Sequence, residues 1–205
     1  THFLVMEYVE GADLSQLAKQ VGPLPIADAC ELIRQAAIGL QEAHEHGMVH
    51  RDIKPSNLIL AKPTRKKSPP TLKILDLGLA LLAEGHSPDQ GLTSTGQMMG
   101  TFDYMAPEQG SDTHHVDIRA DIYSLGATLY KLLTGSAPFA GEKLDTPVKK
   151  LLALATQDPP PVQSRRADLP PPLAKIVHKM LAKDPAERFA TPEELAEALA
   201  PFCQG

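Results

Sequence analysis

No run of apolar residues is long enough to span a bilayer, and no signal peptide opens the chain. No membrane-spanning helix is therefore expected in these 205 residues, and a cytoplasmic location is. Cysteine is scarce: Cys30 and Cys203 are the only two, far apart and without paired spacing. That excludes a disulfide framework and fits inert thiols in a reducing compartment. Positive charge is not in excess. Lys and Arg number 20 against 25 Asp and Glu, a formal net charge of −5, so no general attraction to nucleic acid or to an acidic membrane is expected. The eight histidines lack metal-ligand spacing. His44 and His46 stand two apart on a predicted helix and do not face each other, and His114-His115 has no Cys or acidic ligand at a suitable distance. No internal repeat is present.

What is there is an ordinary globular composition, 42% hydrophobic and 22% charged. The length suffices for one sizeable core, or for one large lobe of a bigger protein. Prolines number 19 and cluster around 159–172, which predicts an extended connector there. Helical periodicity predicts helices at 14–19 with Asp13 as N-cap, at 26–46 with Gly47 as a left-handed C-cap, and at 121–133, 146–157, 173–183 and 193–202. Gly126 permits a close approach within 121–133, and Thr191, Pro192 and Glu194 form a start signal before the last helix. Runs of β-formers predict strands at 3–9, 58–60 and 72–75, the first broken at Glu10-Gly11-Ala12. The last two would pair as a hairpin around the basic, proline-rich loop 61–70. That loop should be solvated; docking of an acidic partner is the less common use of such a charge run.

The chain is organised around His50-Arg51-Asp52-Ile53-Lys54-Pro55-Ser56-Asn57-Leu58-Ile59-Leu60. A carboxylate, an ammonium and an amide fall within six residues, and charge-free apolar sequence follows at once. Pro55 breaks any helix there, so the polar trio sits on a loop, and a loop that runs into a buried strand is held still. Asp52 can accept a proton from a hydroxyl, Lys54 can neutralise a transferring phosphoryl group, and Asn57 can offer an oxygen to a hard cation such as magnesium. By itself an Asp-x-Lys turn is usually a polar turn that caps a strand. Downstream, Asp76-Leu77-Gly78 puts a carboxylate at a strand end on a backbone that can turn sharply, again a common turn when taken alone.

Together these motifs say more. His-Arg-Asp-x-Lys-x-x-Asn-Leu at 50–58 is followed in order by Asp76-Leu77-Gly78, by Gly100-Thr101-Phe102-Asp103-Tyr104-Met105-Ala106-Pro107-Glu108 and by Asp184-Pro185-Ala186-Glu187-Arg188-Phe189. In this the chain resembles the eukaryotic-like serine/threonine protein kinases, in a bacterial style. The resemblance covers nearly the whole chain, but only the family's large C-terminal lobe without the N-terminal β-lobe. The fold class it implies is mainly α with a small β-hairpin. Residues 1–14 resemble the hinge, 50–60 the catalytic loop and 76–108 the activation segment.

The resemblance implies ATP as phosphoryl donor, magnesium as its cation, and protein Ser or Thr hydroxyls as acceptors. It implies that Asp52 orients the acceptor hydroxyl, that Lys54 stabilises charge on the phosphoryl group, and that Asn57 and Asp76 bind magnesium. Leu77 stands where the family has Phe, which keeps an apolar residue. Met6 would be the gatekeeper, the backbones of Glu7 and Val9 would face the adenine edge, Asp13 would lie near the ribose, and Ile59 would pack against the adenine. Lys54 together with Gly100-Thr101 resembles serine/threonine rather than tyrosine kinases. Thr93, Ser94 and Thr95 lie in a stretch without periodicity, where phosphorylation could order an activation loop, with Arg51 as the receiving cation. Asp121 would hold the catalytic-loop backbone, although an Asp near a helix start is commonly just a cap. Arg188 would pair with Glu108.

The 205 residues contain no Gly-rich loop ahead of the hinge, no strand lysine for the α- and β-phosphates and no helix glutamate to pair with it. Two explanations compete: a piece of a complete kinase, or a non-catalytic regulatory or interaction module. The presence of Asp52, Lys54, Asn57 and Asp76 favours the first. Small-molecule phosphotransfer would leave residues 100–108, which look built to hold a peptide, without an account.

Overall fold

The computed structural model describes residues 7–63, 70–76, 102–110, 116–141, 144 and 146–204. Among the described residues the chain forms seven α-helices and one small three-stranded sheet. The order is β1 (Gly11–Asp13), α1 (Leu14–Val21), α2 (Ile26–Glu45), β2 (Leu58–Ala61), β3 (Thr71–Ile74), α3 (Ile118–Thr134), α4 (Pro147–Thr156), α5 (Val162–Arg165), α6 (Pro171–Met180) and α7 (Pro192–Leu199). The expected class, mainly helical with a small antiparallel β element, is what forms. No helix of the described residues is long and apolar enough to cross a membrane.

The core is built on α3. Every residue of this helix except Arg119, Lys131 and Thr134 is buried. A helix that is apolar nearly all round belongs in an interior, with neighbours on every side. α2 packs against α3 and α7, and Ile33, Ala37 and Leu40 reach zero exposure. α2 ends as its sequence suggests: Gly47 takes φ +72°, its N–H donates to His44 O at 2.8 Å, and Met48 N–H donates to Ala43 O at 3.0 Å. This pair of bonds satisfies the last carbonyls and swings the chain into residues 50–57.

Four expectations are corrected. The segment 3–9 is not a strand over its described part, residues 7–9; residues 3–6 lie outside the described residues. The strand forms at Gly11–Asp13 instead, where a breaker was expected, and pairs with β2 as Gly11↔Ala61, Ala12↔Leu60 and Asp13↔Ile59. Gly11 opens it because β2 passes so close that a Cβ there would lie 2.3 Å from Leu60 O. The hairpin β2–β3, in the register Leu58↔Ile74 to Ala61↔Thr71, thus becomes the larger part of a three-stranded sheet. The proline-rich stretch 159–172 is not one extended connector. It contains α5 and the start of α6, because Pro161 and Pro170 sit at N-cap positions and Pro171 at the first turn, where the missing N–H does no harm. Arg166, just after α5, donates to Leu133 O at 3.0 Å and so satisfies a carbonyl at the end of α3. Finally, α3 begins at Ile118 with Asp117 as its cap, which frees Asp121 for other use.

Gly126 lies where α6 crosses α3. An added Cβ would fall 2.8 Å from Met180 Cβ and 3.3 Å from Leu181 Cγ, atoms close to a helix backbone that cannot swing aside. Ala gains about 1 kcal/mol over Gly in helix propensity, whereas overpacking a tight core costs about 1–3 kcal/mol. The clash outweighs the propensity: Gly126→Ala should lower stability by up to about 2 kcal/mol, read as a lower urea midpoint with an unchanged m-value.

Candidate active site

The loop after α2 is pinned to α3 by one carboxylate. Asp121 Oδ2 accepts from His50 N–H and Oδ1 from Arg51 N–H, both at 2.8 Å. Asp121 has no solvent exposure. Burial pushes its pKa above the usual carboxylate range, and the two N–H bonds oppose that push. The His50 ring has a single consistent tautomer. Its Nδ1 must accept, because it faces Asp52 N–H at 3.3 Å, so Nε2 carries the proton and donates to Leu75 O at 2.7 Å. One imidazole therefore ties the loop to the end of β3.

Pro55–Asn57 forms a short 3₁₀ turn with Pro55 buried, and this turn brings the polar trio together. Lys54 Nζ lies 2.7 Å from Asp52 Oδ2 and 3.0 Å from Oδ1. Asn57 Nδ2 donates to Asp52 O at 2.9 Å and to Asp52 Oδ2 at 3.1 Å. Both amide protons are thus in use, which fixes the amide and leaves Oδ1 as its acceptor side. The Asp52 side chain is 42% exposed, so the trio opens to solvent on one side.

Asp76 lies two residues past the end of β3. Leu75 N–H donates to Asn57 O at 2.8 Å, which puts Asp76 one residue beyond a backbone bond to Asn57. Asp76 is exposed and holds φ +59°, a left-handed conformation that Asp tolerates better than most residues. The exposed Asp76 carboxylate and the fixed Asn57 amide oxygen are both hard oxygens, carried by residues that this backbone bond relates. Such oxygens suit magnesium, which typically takes one or two protein oxygens and completes its shell with phosphate and water. No group of three or more His, Cys, Asp or Glu side chains that could cage a metal occurs among the described residues.

On the other side of β2, Asp13 and Ile59 are cross-strand partners, so two residues expected near a nucleotide come together. Asp13 also caps α1, accepting from Gln16 N–H at 2.8 Å and from Gln16 Nε2 at 2.5 Å. Glu7 is exposed and pairs with Lys73, and Val9 is half-buried. Met6, Leu77, Gly78, Thr93, Ser94, Thr95, Gly100 and Thr101 lie outside the described residues.

The segment 102–110 is anchored from below. Glu108 and Arg188 form a two-bond ion pair at 2.6 and 2.8 Å. The remaining guanidinium N–H groups go to Ala182 O, Arg119 O and Lys183 O, and the group lies 5.0 Å from the Tyr123 ring centre. Two further anchors escaped the sequence reading. Lys150 on α4 reaches Asp103 across 47 residues of sequence, and Ser124 Oγ donates to Tyr104 O at 2.7 Å. Neither has a local signal; only the buried settings of Lys150 and Ser124, seen once the fold is built, mark them.

The protein kinase domain model matches residues 1–199. The chain is 38% identical over 195 residues to the serine/threonine-protein kinase PknB of Mycolicibacterium smegmatis, covering 94% of this chain and 29% of that protein. It is 38% identical over 198 residues to the serine/threonine-protein kinase PknD of Mycobacterium tuberculosis, and 36% identical over 193 residues to the serine/threonine-protein kinase pkn3 of Myxococcus xanthus. These cover 96% and 93% of this chain but only 28% and 34% of those proteins, so the chain spans about a third or less of the length of such relatives. The crystal structure of the Mycobacterium tuberculosis PknI kinase domain superposes with a TM-score of 0.68 at 28% identity, over 96% of this chain and 64% of that one.

The Arg188 side chain has no exposure, so removal of its carboxylate partner strands a buried cation. Three backbone carbonyls remain but supply no countercharge. Glu108→Ala should therefore destabilise the fold by about 3–5 kcal/mol in urea unfolding, far beyond a surface ion-pair deletion.

Proposed function

The chain belongs to the protein kinase domain family, and from that premise we propose that it is the large C-terminal lobe of a serine/threonine protein kinase. The reaction is transfer of the γ-phosphate of ATP to Ser or Thr hydroxyls on proteins. The observation that supports it best is the contact cluster of Asp52, Lys54 and Asn57, with Asp76 one residue past a backbone bond to Asn57. Serine/threonine specificity rests on Lys54 with Gly100-Thr101 and on the names of the relatives. The Gly-rich loop and the phosphate-binding lysine would come from sequence outside these residues.

In this reading Asp52 accepts a hydrogen bond from the acceptor hydroxyl, aims it, and takes its proton late. Asn57 Nδ2 holds the Asp52 carboxylate in place while Oδ1 faces the cation. Lys54 moves part of its hydrogen bonding from Asp52 to the phosphoryl oxygens as charge gathers there. Magnesium, when bound by Asn57 and Asp76, neutralises charge on the nucleotide phosphates. Ile59 supports the adenine from below, the backbones of Glu7 and Val9 meet its edge beside the gatekeeper Met6, and Asp13 approaches the ribose. Thr93, Ser94 and Thr95 are the candidate phosphorylation sites, read by Arg51. ATP as donor fits a cytoplasmic location.

The test is phosphotransfer from labelled ATP by the full-length protein to a generic protein substrate, followed by phosphoamino-acid analysis. Asp52→Asn should reduce the rate by about 10²-fold or more, and Asp76→Asn should slow transfer comparably and raise the magnesium concentration needed for half-maximal rate, with little change in melting temperature. Transfer that survives both substitutions would remove these roles.

A further inference from the structure

Among the described residues only Arg51 and Asp76 take a positive φ without being glycine, and both lie beside the candidate site. Arg51, at φ +65°, immediately precedes Asp52. Such a conformation costs about 1–3 kcal/mol and persists only where the surroundings fix it. Asp121 fixes the Arg51 N–H. The carbonyl on the far side is held by a residue that no motif singles out: Gln109 Nε2 donates to Arg51 O at 2.8 Å.

That carbonyl belongs to the peptide unit joining Arg51 to Asp52. Its other polar end, Asp52 N–H, goes to His50 Nδ1 at 3.3 Å. The plane from which the Asp52 side chain springs is thus gripped at both ends, and the Gln109 bond is the shorter one. The opposite end of the same amide, Oε1, accepts from Ala106 N–H at 2.9 Å. Ala106 donates and Arg51 O accepts, so only one orientation of the amide satisfies both. Gln109 follows Glu108, itself locked to Arg188, and closes its own turn with an N–H bond to Ala106 O at 3.0 Å. The amide therefore spans from the anchored end of the activation segment to the peptide that aims Asp52.

We infer that Gln109 is a positioning residue for phosphotransfer, which sets the Arg51–Asp52 peptide from the end of the segment expected to hold the acceptor. The inference rests on the kinase reading above. It requires both functions of the amide, accepting from Ala106 and donating to Arg51, whereas a residue that merely braced its own turn would need only the first.

Two variants of the full-length protein separate these cases. Gln109→Met keeps the shape and removes both bonds; Gln109→Glu keeps an acceptor for Ala106 and removes the donor to Arg51. Steady-state phosphotransfer should show kcat lowered about 10- to 100-fold in both, with KM for ATP unchanged, as expected for a misaimed group rather than a lost binding contact. Melting of Gln109→Glu should stay near that of the parent. A parent-like kcat in Gln109→Glu would overturn the inference, as would losses that merely track the fraction of folded protein, or failure of both variants to fold. If the parent transfers no phosphate, or Asp52→Asn does not slow it, the kinase reading falls and this inference with it. An active, Asp52-dependent parent with unaffected Gln109 variants would sink this inference alone.

Discussion

The carboxylate of Asp121 sits where the most buried helix of the fold meets the loop that holds Asp52. An ionised carboxylate without solvent costs several kcal/mol unless donors meet it. Here two do, the N–H groups of His50 and Arg51 at 2.8 Å. A leucine at this position would leave the buried His50 N–H and the part-buried Arg51 N–H without this acceptor, at about 1–3 kcal/mol for a fully buried donor. The polar residue in an otherwise apolar stretch of α3 therefore makes sense only through the loop it holds. It also explains how Arg51 keeps a left-handed backbone: the N–H that would otherwise be free to reorient is fixed to a fully buried carboxylate of the central helix.

Strain is distributed in the same manner at the second strained residue. Asp76 stands at φ +59°, and the residue before it is held on both sides, its N–H by Asn57 O and its carbonyl by His50 Nε2. Arg51 and Asp76 are thus fixed by different frames, one by the helices and the other by the sheet. His50 joins the two frames, since its ring bonds to Asp52 N–H on one edge and to Leu75 O on the other. The backbone groups that bear Asp52 and Asp76 keep a defined relation because one buried imidazole spans them, and that relation sets the spacing of the two residues proposed as general base and metal ligand.

Most of this could be read from sequence where the signal is local. The contacts of Asp52, Lys54 and Asn57 span six residues around a proline, so the turn chemistry alone brings them together. The Gly47 C-cap, the Thr191 cap and the spread of apolar residues along α2 are likewise local. Cross-chain relations were legible where the family resemblance named both sides, as with Glu108 and Arg188 and with Asp121 and the loop backbone. The strand at Gly11–Asp13 was missed because glycine reads as a breaker, whereas here it clears the backbone of Leu60. The resemblance placed Asp121 on the loop backbone, where its carboxylate does accept from His50 and Arg51; the residues alone offered a cap as well, because the helix start was read three residues late and the true cap, Asp117, carries the same side chain. Gln109, Lys150 and Ser124 act across 20 to 58 residues of sequence with partners that include backbone atoms, which leave no side-chain pattern to find.

The two ion pairs near the site differ in a way that fits their duties. Glu108–Arg188 is made from a guanidinium with no exposure whose five N–H groups are all used, so exchange of either partner is costly and the pair behaves as a fixed joint. Lys54–Asp52 is open to water, with side chains 22% and 42% exposed, and such pairs are worth about 0–1 kcal/mol. In the proposed reaction, a lysine held that weakly can shift toward the phosphoryl group at little cost, because the phosphate offers more negative charge than the carboxylate it leaves. Asp52 does not lose its aim when that happens, since Asn57 and the gripped Arg51–Asp52 peptide remain. On that proposal the site separates what must move from what must not: the contact that shifts is a single solvent-open ammonium, and the contacts that stay are carboxylate, amide and guanidinium groups tied to backbone.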